Sequence, residues 1–223
     1  MSSHTPLTTM ADLLPYIAPH VSSAPDFLIM FQTRLAVIEF CERTRCWRQI
    51  KQCNTSSNGR ARITPYGATI HEIEEAYLGQ TKLEPTQFTD TDPDDLTGLT
   101  TSGPAKYITQ INPGEVMVFP KEQGALRISC FLKPVQGVSI GGNVADPLED
   151  ANNVLPEFMV AQYAEKLAHG AMYRIMSIPK QDFTDLQMAA VHKAAFEDAC
   201  NGNFNSNVRG QQRAPLRVKA RFI

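Results

Sequence analysis

Residues 25–45 read PDFLIMFQTRLAVIEFCERTR. Phe27, Phe31, Leu35, Ile38 and Cys41 recur every three to four residues, while Gln32, Glu39 and Arg43 fall on the other side. That spacing predicts an amphipathic helix over 25–45. Pro25 and Asp26, following Ser22 and Ser23, suit its first turn, and Glu39 and Arg43 form a favourable pair one turn apart. One amphipathic helix cannot bury its own stripe, so other elements of the chain must cover it.

Helical periodicity returns near the other end. Asn152, Asn153 and Pro156 open a helix running to about Met176, with Val160, Ala164, Leu167, Ala168, Ala171 and Ile175 on one face. Its alanines permit close helix–helix approach. Pro179 ends the segment, and Thr184-Asp185-Leu186-Gln187 reads as a capping-box start to a helix reaching about Cys200. The first helix most simply packs on these two.

Between them, Gly, Pro, Asn, Asp and Thr separate short β-prone runs at 46–53, 61–64, 70–78, 82–87, 106–111, 116–119 and 126–132. Gly79-Gln80 and Pro113-Gly114 are hairpin signals. An acidic loop spans 89–101. The N-terminal segment is cut by Pro6, Pro15, Pro19 and Pro25 into short turns, with one helical turn at 10–14. The fold class expected is α+β: a bundle of three main helices interrupted by an inserted antiparallel β-module, with an extended C-terminal arm. The expected division is 1–45 with 150–208 for the bundle, 46–149 for the module and 209–223 for the arm.

The arm holds Arg209, Arg213, Arg217, Lys219 and Arg221 and no acid. From Leu216, apolar Leu216, Val218, Ala220 and Phe222 alternate with basic Arg217, Lys219 and Arg221, a period of two that reads as a strand. Pro215 stands at its start, where a missing donor costs least. No hairpin partner follows, so the strand pairs with an earlier one or with another molecule. Arg213, Leu216, Arg217, Val218, Lys219, Arg221 and Phe222 are therefore candidate docking residues. The opposite charge gathers upstream: Glu72, Glu74, Glu75, Glu84, Asp90, Asp92, Asp94 and Asp95 against Lys82 alone. Of these, Glu72, Glu74, Glu75, Asp90, Asp92, Asp94 and Asp95 are candidates for an exposed or channel-facing acidic surface.

At 43% hydrophobic and 20% charged residues, the chain of 223 residues has the make-up of a soluble globular protein, and its net charge of −2 excludes a general polyanion binder. Five cysteines without a C-x-x-C pair predict reduced thiols rather than a disulfide framework. No signal peptide opens the chain, and the apolar run 27–31 is too short to span a bilayer.

Gly137-Val138-Ser139-Ile140-Gly141 matches a nucleophile elbow, yet Pro134 ends the preceding strand and Gly142, Asn143 and Pro147 follow where a helix is required. His169 and His192, the available bases, fall inside helical patterns. Asp90, Asp92 and Asp94 imitate a calcium loop, but Asp95 replaces its glycine and Thr101 its bidentate glutamate. His71-Glu72 lacks the second histidine of a zinc-protease motif. Trp47, between Arg45 and Arg48, reads as a core plug rather than a base-stacking platform. No cofactor or metal is expected.

Residues 38–48, IEFCERTRCWR, resemble the first-helix signature of a family of tailed-phage virion proteins. The stretch from Leu155 through Ala168-His169-Gly170-Ala171 to Pro179 is similar to its second helical block, the strands between Gly103 and Pro134 to its middle, and residues 213–222 to its usual ending. The layout is also similar to that of head-to-tail adaptors, or connectors, of the tail-tubular-protein-A type. The resemblance implies a non-enzymatic structural protein of the virion head–tail junction, assembled in the host cytoplasm. It implies a ring, commonly of about twelve copies built through heterologous contacts, between the portal and the tail nozzle or tube, with genomic DNA passing through and no membrane. The alternative reading is a DNA-binding head or packaging protein whose basic tail meets phosphate; a hydrolase at Ser139 is a third.

Overall fold

The computed structural model describes residues 6–63, 67–87, 103–135 and 154–208, the last four of these by backbone alone. The chain divides into two compact units, one comprising 1–46 and 136–223 and the other 47–135. Each is described by itself.

The helical unit opens with β1 (Leu7–Thr9), a 3₁₀ turn (Met10–Leu13), α1 (Leu14–Ile17) and a second 3₁₀ turn (Ala18–His20). Where the sequence suggested one helical turn, three short ones follow in series, burying Met10, Leu13 and Ile17 completely. Helix α2 (Asp26–Thr44) begins after Pro25 and ends at Arg45, whose φ of 52° is a left-handed cap with its N–H bonded to the Cys41 carbonyl. After the inserted unit come β9 (Val154–Pro156), α3 (Glu157–Met176) and α4 (Leu186–Val208). β9 pairs antiparallel with β1, Thr8 opposite Leu155, a ribbon of three-residue strands that sequence periodicity does not reach.

The buried face of α2 differs from the predicted stripe. Phe27 is 61% exposed and Phe31 45%. Ile38 and Cys41 of that stripe are buried, and the rest of the core side is Ile29, Met30, Thr33, Arg34, Ala36, Val37, Phe40 and Thr44. Thr33 and Thr44 enter that core because each hydroxyl donates to the carbonyl one turn back, Ile29 and Phe40, at 2.7 Å. The face predicted for α3 is buried at Ala164, Leu167, Ala168, Ala171 and Ile175, with Val160 half-buried. The start of α4 also differs in detail. Asp185, rather than Thr184, caps it: its Oδ1 accepts the N–H groups of Gln187 and Met188, both at 3.0 Å. Thr184 is engaged in the preceding turn, donating to the Ile178 carbonyl at 2.6 Å.

The three long helices meet at Phe196 of α4. A β-carbon on Gly170 of α3 would lie 2.6 Å from the Phe196 ring and 3.0 Å from the Ala36 Cβ of α2. Only hydrogen fits there. Phe196 is fully buried, with ring centroids 6.2 Å from Phe40 and 5.9 Å from Tyr173. Beside it, Glu39 of α2 accepts hydrogen bonds from Tyr173 at 3.0 Å and from Arg174, and pairs with Arg43 at 3.3 Å. Arg43 reaches Asn201 of α4 at 3.2 Å. One polar network thus ties all three helices.

The strand-rich unit is a seven-stranded sheet: β2 (Arg48–Asn54), β3 (Arg60–Arg62), β4 (Ala68–Leu78), β5 (Thr81–Pro85), β6 (Tyr107–Asn112), β7 (Glu115–Phe119) and β8 (Ala125–Pro134). Their order is β2-β8-β4-β5-β6-β7-β3. All seven lie where β-prone runs were read, and both hairpin turns form. Gly114, at φ +92°, sits in the β6–β7 turn with a β-carbon position only 3.0 Å from the Ile63 carbonyl. One pair corrects the antiparallel expectation: β5 and β6 run parallel, Glu84 opposite Tyr107. The long connection between them allows this, since a parallel return needs about a dozen residues or more and a hairpin two. β2 and β3, the ends of the strand order, are joined through the short turn at 55–59, so the sheet curls.

The five cysteines are free thiols. Burial pushes those of Cys130 and Cys200 up to about 11, which leaves them protonated and unreactive at neutral pH.

Gly170→Ala should destabilise the protein by about 1–3 kcal/mol in urea denaturation through overpacking, although alanine is the better helix former by about 1 kcal/mol. For Glu39, burial raises its pKa, but the bonds from Arg174 and Tyr173 outweigh this and leave it below its usual range. A depressed carboxylate stabilises the fold above its unfolded pKa and loses that contribution as pH falls through its folded value. Glu39→Gln should therefore cost about 1–3 kcal/mol at pH 7, and its deficit against wild type should shrink toward pH 3. Burial first, then Glu39, pushes the Tyr173 phenol up to about 12. Its contribution should be lost as pH rises from about 10 to about 12.

Candidate docking surfaces

Three of the acidic candidates lie on β4, and their placement follows from two bulges. Strict alternation from Ile70 to Ala76 would aim Glu72 and Glu74 at the face that buries Ile70, Ala76 and Leu78. The register against β8 instead shifts between Ile70 and Glu72 and again between Ile73 and Glu75. Each shift inserts one residue, so Glu74 and Glu75 are exposed and Glu72 is half-buried.

These carboxylates meet cations. Glu74 accepts hydrogen bonds from Arg48 on β2 and from the Ser129 hydroxyl on β8, both at 2.8 Å. Glu75 pairs with Lys82 at 2.6 Å, and that bond raises the Lys82 pKa. Aromatic rings interleave the charges: Arg48 lies 5.1 Å from the Phe131 ring centroid, while Arg127 and Lys82 flank Tyr77 at 5.3 and 5.8 Å. Register explains the row, because Tyr77 is opposite Lys82 on β5 and opposite Arg127 on β8. This part of the acidic stretch is a mixed, paired surface. Asp90, Asp92, Asp94 and Asp95 lie outside the described residues.

Among the described residues β2 pairs with β8 alone and β3 with β7 alone, so each is an edge of the described sheet. Arg48 and Lys51 stand on the first edge and Arg60 and Arg62 on the second, Arg60 lying 3.5 Å from Glu115. Both edges are basic in composition. Ile50, at 62% exposure, is the large apolar side chain presented by β2.

On the helical unit, Phe27 and Phe31 stand one turn apart on α2, and Leu186, Met188 and Val191 project from the start of α4, all exposed. The sequence reading missed these surfaces because it placed both phenylalanines in the core. Exposed apolar groups of this size suit contact with another protein.

The docking candidates Arg213, Leu216, Arg217, Val218, Lys219, Arg221 and Phe222 lie outside the described residues, as does Ser139. His169 and His192 do come together, their Nδ1 atoms 2.8 Å apart on α3 and α4. Trp47 is 2% exposed, which leaves no ring face for a base to stack on. Among the described residues no group of three or more histidine, cysteine or acidic side chains is arranged to hold a metal ion, and no helix is long and apolar enough to cross a membrane.

Residues 8–219 match the family described as SU10 adaptor protein, and the chain belongs to that family, one of phage head-to-tail adaptors. No curated protein matches the chain. It is a structural component of a phage virion that joins with other phage proteins.

The rotated face of α2 has a direct consequence. Phe31→Ser should change stability by no more than about 0.5 kcal/mol, whereas Phe40→Ala should cost about 3–5 kcal/mol. Urea denaturation of the two variants checks this; equal losses would return Phe31 to the core.

Proposed function

We propose that the protein forms a ring at the head–tail junction, joining the portal to the tail nozzle or tube and continuing the DNA channel. The family match over residues 8–219 carries this reading. The ring is built from heterologous contacts between copies, commonly about twelve, each copy offering two different patches. Phe27 and Phe31 are suited to the apolar part of one such contact.

The C-terminal arm docks by strand addition onto the portal or a neighbouring adaptor. Leu216, Val218 and Phe222 fill pockets, while Arg213, Arg217, Lys219 and Arg221 face acidic groups. The acidic stretch faces the channel or the tail-proximal rim. Glu74 and Glu75, already paired with Arg48 and Lys82, contribute a nearly neutral surface there, one that neither holds phosphate nor strongly repels it. The repulsion of DNA then rests on Asp90, Asp92, Asp94 and Asp95.

Assembly follows contact with the portal, so free protein should be largely monomeric at micromolar concentration in light scattering; a stable large ring formed alone would contradict this. Burying a large apolar side chain contributes about 1.5–3 kcal/mol and a rim ion pair about 0–1 kcal/mol. Deleting residues 211–223 should therefore leave the melting of the body nearly unchanged and abolish binding to the portal from the same genome. Phe222→Ala should weaken that binding more than Lys219→Ala, most clearly at high salt. Electron micrographs of the mixture and a titration of each variant check both expectations. Unfolding on deletion would assign the strand to the protein's own sheet, and a duplex-DNA mobility shift lost with the arm would favour the packaging reading.

A further inference from the structure

His169 and His192 face each other across the α3–α4 pair inside a cavity of about 490 Å³, lined also by Pro15, Tyr16, His20, Glu165, Ala168 and Met172. Their Nδ1 atoms are 2.8 Å apart and their ring centroids 5.0 Å. His192 is only 7% exposed, and its Nε2 has no hydrogen-bond partner. The His20 ring lies 6.5 Å from that of His192.

The separation identifies what can sit between the two rings. Imidazole nitrogens sharing a tetrahedral zinc ion, each about 2.0–2.1 Å from it, stand about 3.4 Å apart. At 2.8 Å there is room for a proton and not for a metal. A neutral pair holds one proton between the Nδ1 atoms, so one ring donates and the other accepts. A first added proton can enter at the free Nε2 of the donor ring and leave the N–H···N bond intact. A second must go onto the accepting Nδ1. Two N–H groups would then point head-on and two cations would adjoin, so the rings must part.

We propose that His169 and His192 are a one-proton clamp between α3 and α4, stable with one added proton and released by the second, so that acid loosens the first half of α4. The surrounding charges decide where this happens. Asp185 at the head of α4 favours proton uptake on His192 and His20 from the N-terminal turn opposes it, while the exposed Glu165 of α3 also lines the cavity. Lys193 on α4 is 3.8 Å from Glu197. Helix α2 contributes no residue to the cavity lining; its Glu39 and Arg43 bond Tyr173, Arg174 and Asn201 instead. Burial, then His169 and His20, holds the His192 imidazole below its usual value, with Asp185 acting against them. An imidazole depressed in the fold takes up protons more readily when unfolded, so stability falls as pH drops from about 6.5 toward the lower folded value.

The test is imidazole ¹⁵N nuclear magnetic resonance and amide hydrogen exchange on the full chain between pH 7.5 and 5. The two rings should titrate in two separated steps, with one nitrogen-bound proton shared at pH 7. Exchange of the α4 amides up to His192, corrected for intrinsic rate, should rise about tenfold for each unit by which the second step is depressed. His169→Gln, which keeps a neutral hydrogen-bonding group there, should abolish that extra exchange. Independent titration of both rings near the ordinary histidine value would overturn the clamp. So would exchange that rises equally in wild type and His169→Gln. The resonance measurement uses wild type alone, so it decides even where the variant folds poorly.

Discussion

The helical unit depends on an aromatic ring held where three helices leave no room for a side chain. Phe196 and Ala36 both close on Gly170, so α2, α3 and α4 approach at one level to a distance set by a hydrogen atom, an alanine and a phenyl ring. Phe40 and Tyr173 close around it. A glycine inside a helix costs about 1 kcal/mol relative to alanine, yet a fully buried aromatic contributes more than that. The Glu39 network lies on the same level and fixes which residues face each other. Greasy packing supplies the attraction, and the bonds among Glu39, Arg43, Tyr173, Arg174 and Asn201 select the register.

This arrangement lets the unit tolerate a long insertion. The chain leaves α2 through the left-handed cap at Arg45 and returns through β9, which pairs with β1 directly ahead of α3. The return is therefore anchored by backbone hydrogen bonds on one side and by the buried α3 face on the other. Loop-closure entropy grows only slowly with length, and the inserted segment folds into its own sheet with its own core of Ile70, Leu83, Ile108, Val118 and Ile128.

Much of this was legible in the sequence, for local reasons. The seven strands of the β unit are each bounded by glycine, proline or asparagine, so their limits fall within a few residues of the runs read from composition. The helices announced themselves by periodicity. The orientation of α2 did not, because Phe27, Leu28, Ile29, Met30 and Phe31 are all apolar and any of several faces could be the core. Tertiary packing broke that tie in favour of Ile29 and Met30. Thr184 and Asp185 are both good caps, and the choice turned on the Ile178 carbonyl, which occupies the threonine hydroxyl. The parallel β5–β6 pair depends on the route of a long connection, which no short-range pattern encodes. The contact between His169 and His192 joins residues on separate helices and has no signature in either one.

The surface of the strand-rich unit illustrates why charge counted along a chain differs from charge in space. Residues 72–95 look strongly acidic in sequence, with Lys82 as their lone cation. Folding brings Arg48 and Arg127 in from strands β2 and β8, while the bulges of β4 turn Glu74 and Glu75 outward to meet Arg48 and Lys82. Exposed pairs of this kind contribute little to stability, about 0–1 kcal/mol each. They matter instead for what the surface offers a partner. A row in which Lys82, Tyr77 and Arg127 adjoin Glu75 and Ser129 presents short-range, geometry-dependent contacts in place of a long-range field. Because its charges are already paired, such a surface exerts little steering at long range, and any contact it makes depends on close geometric match.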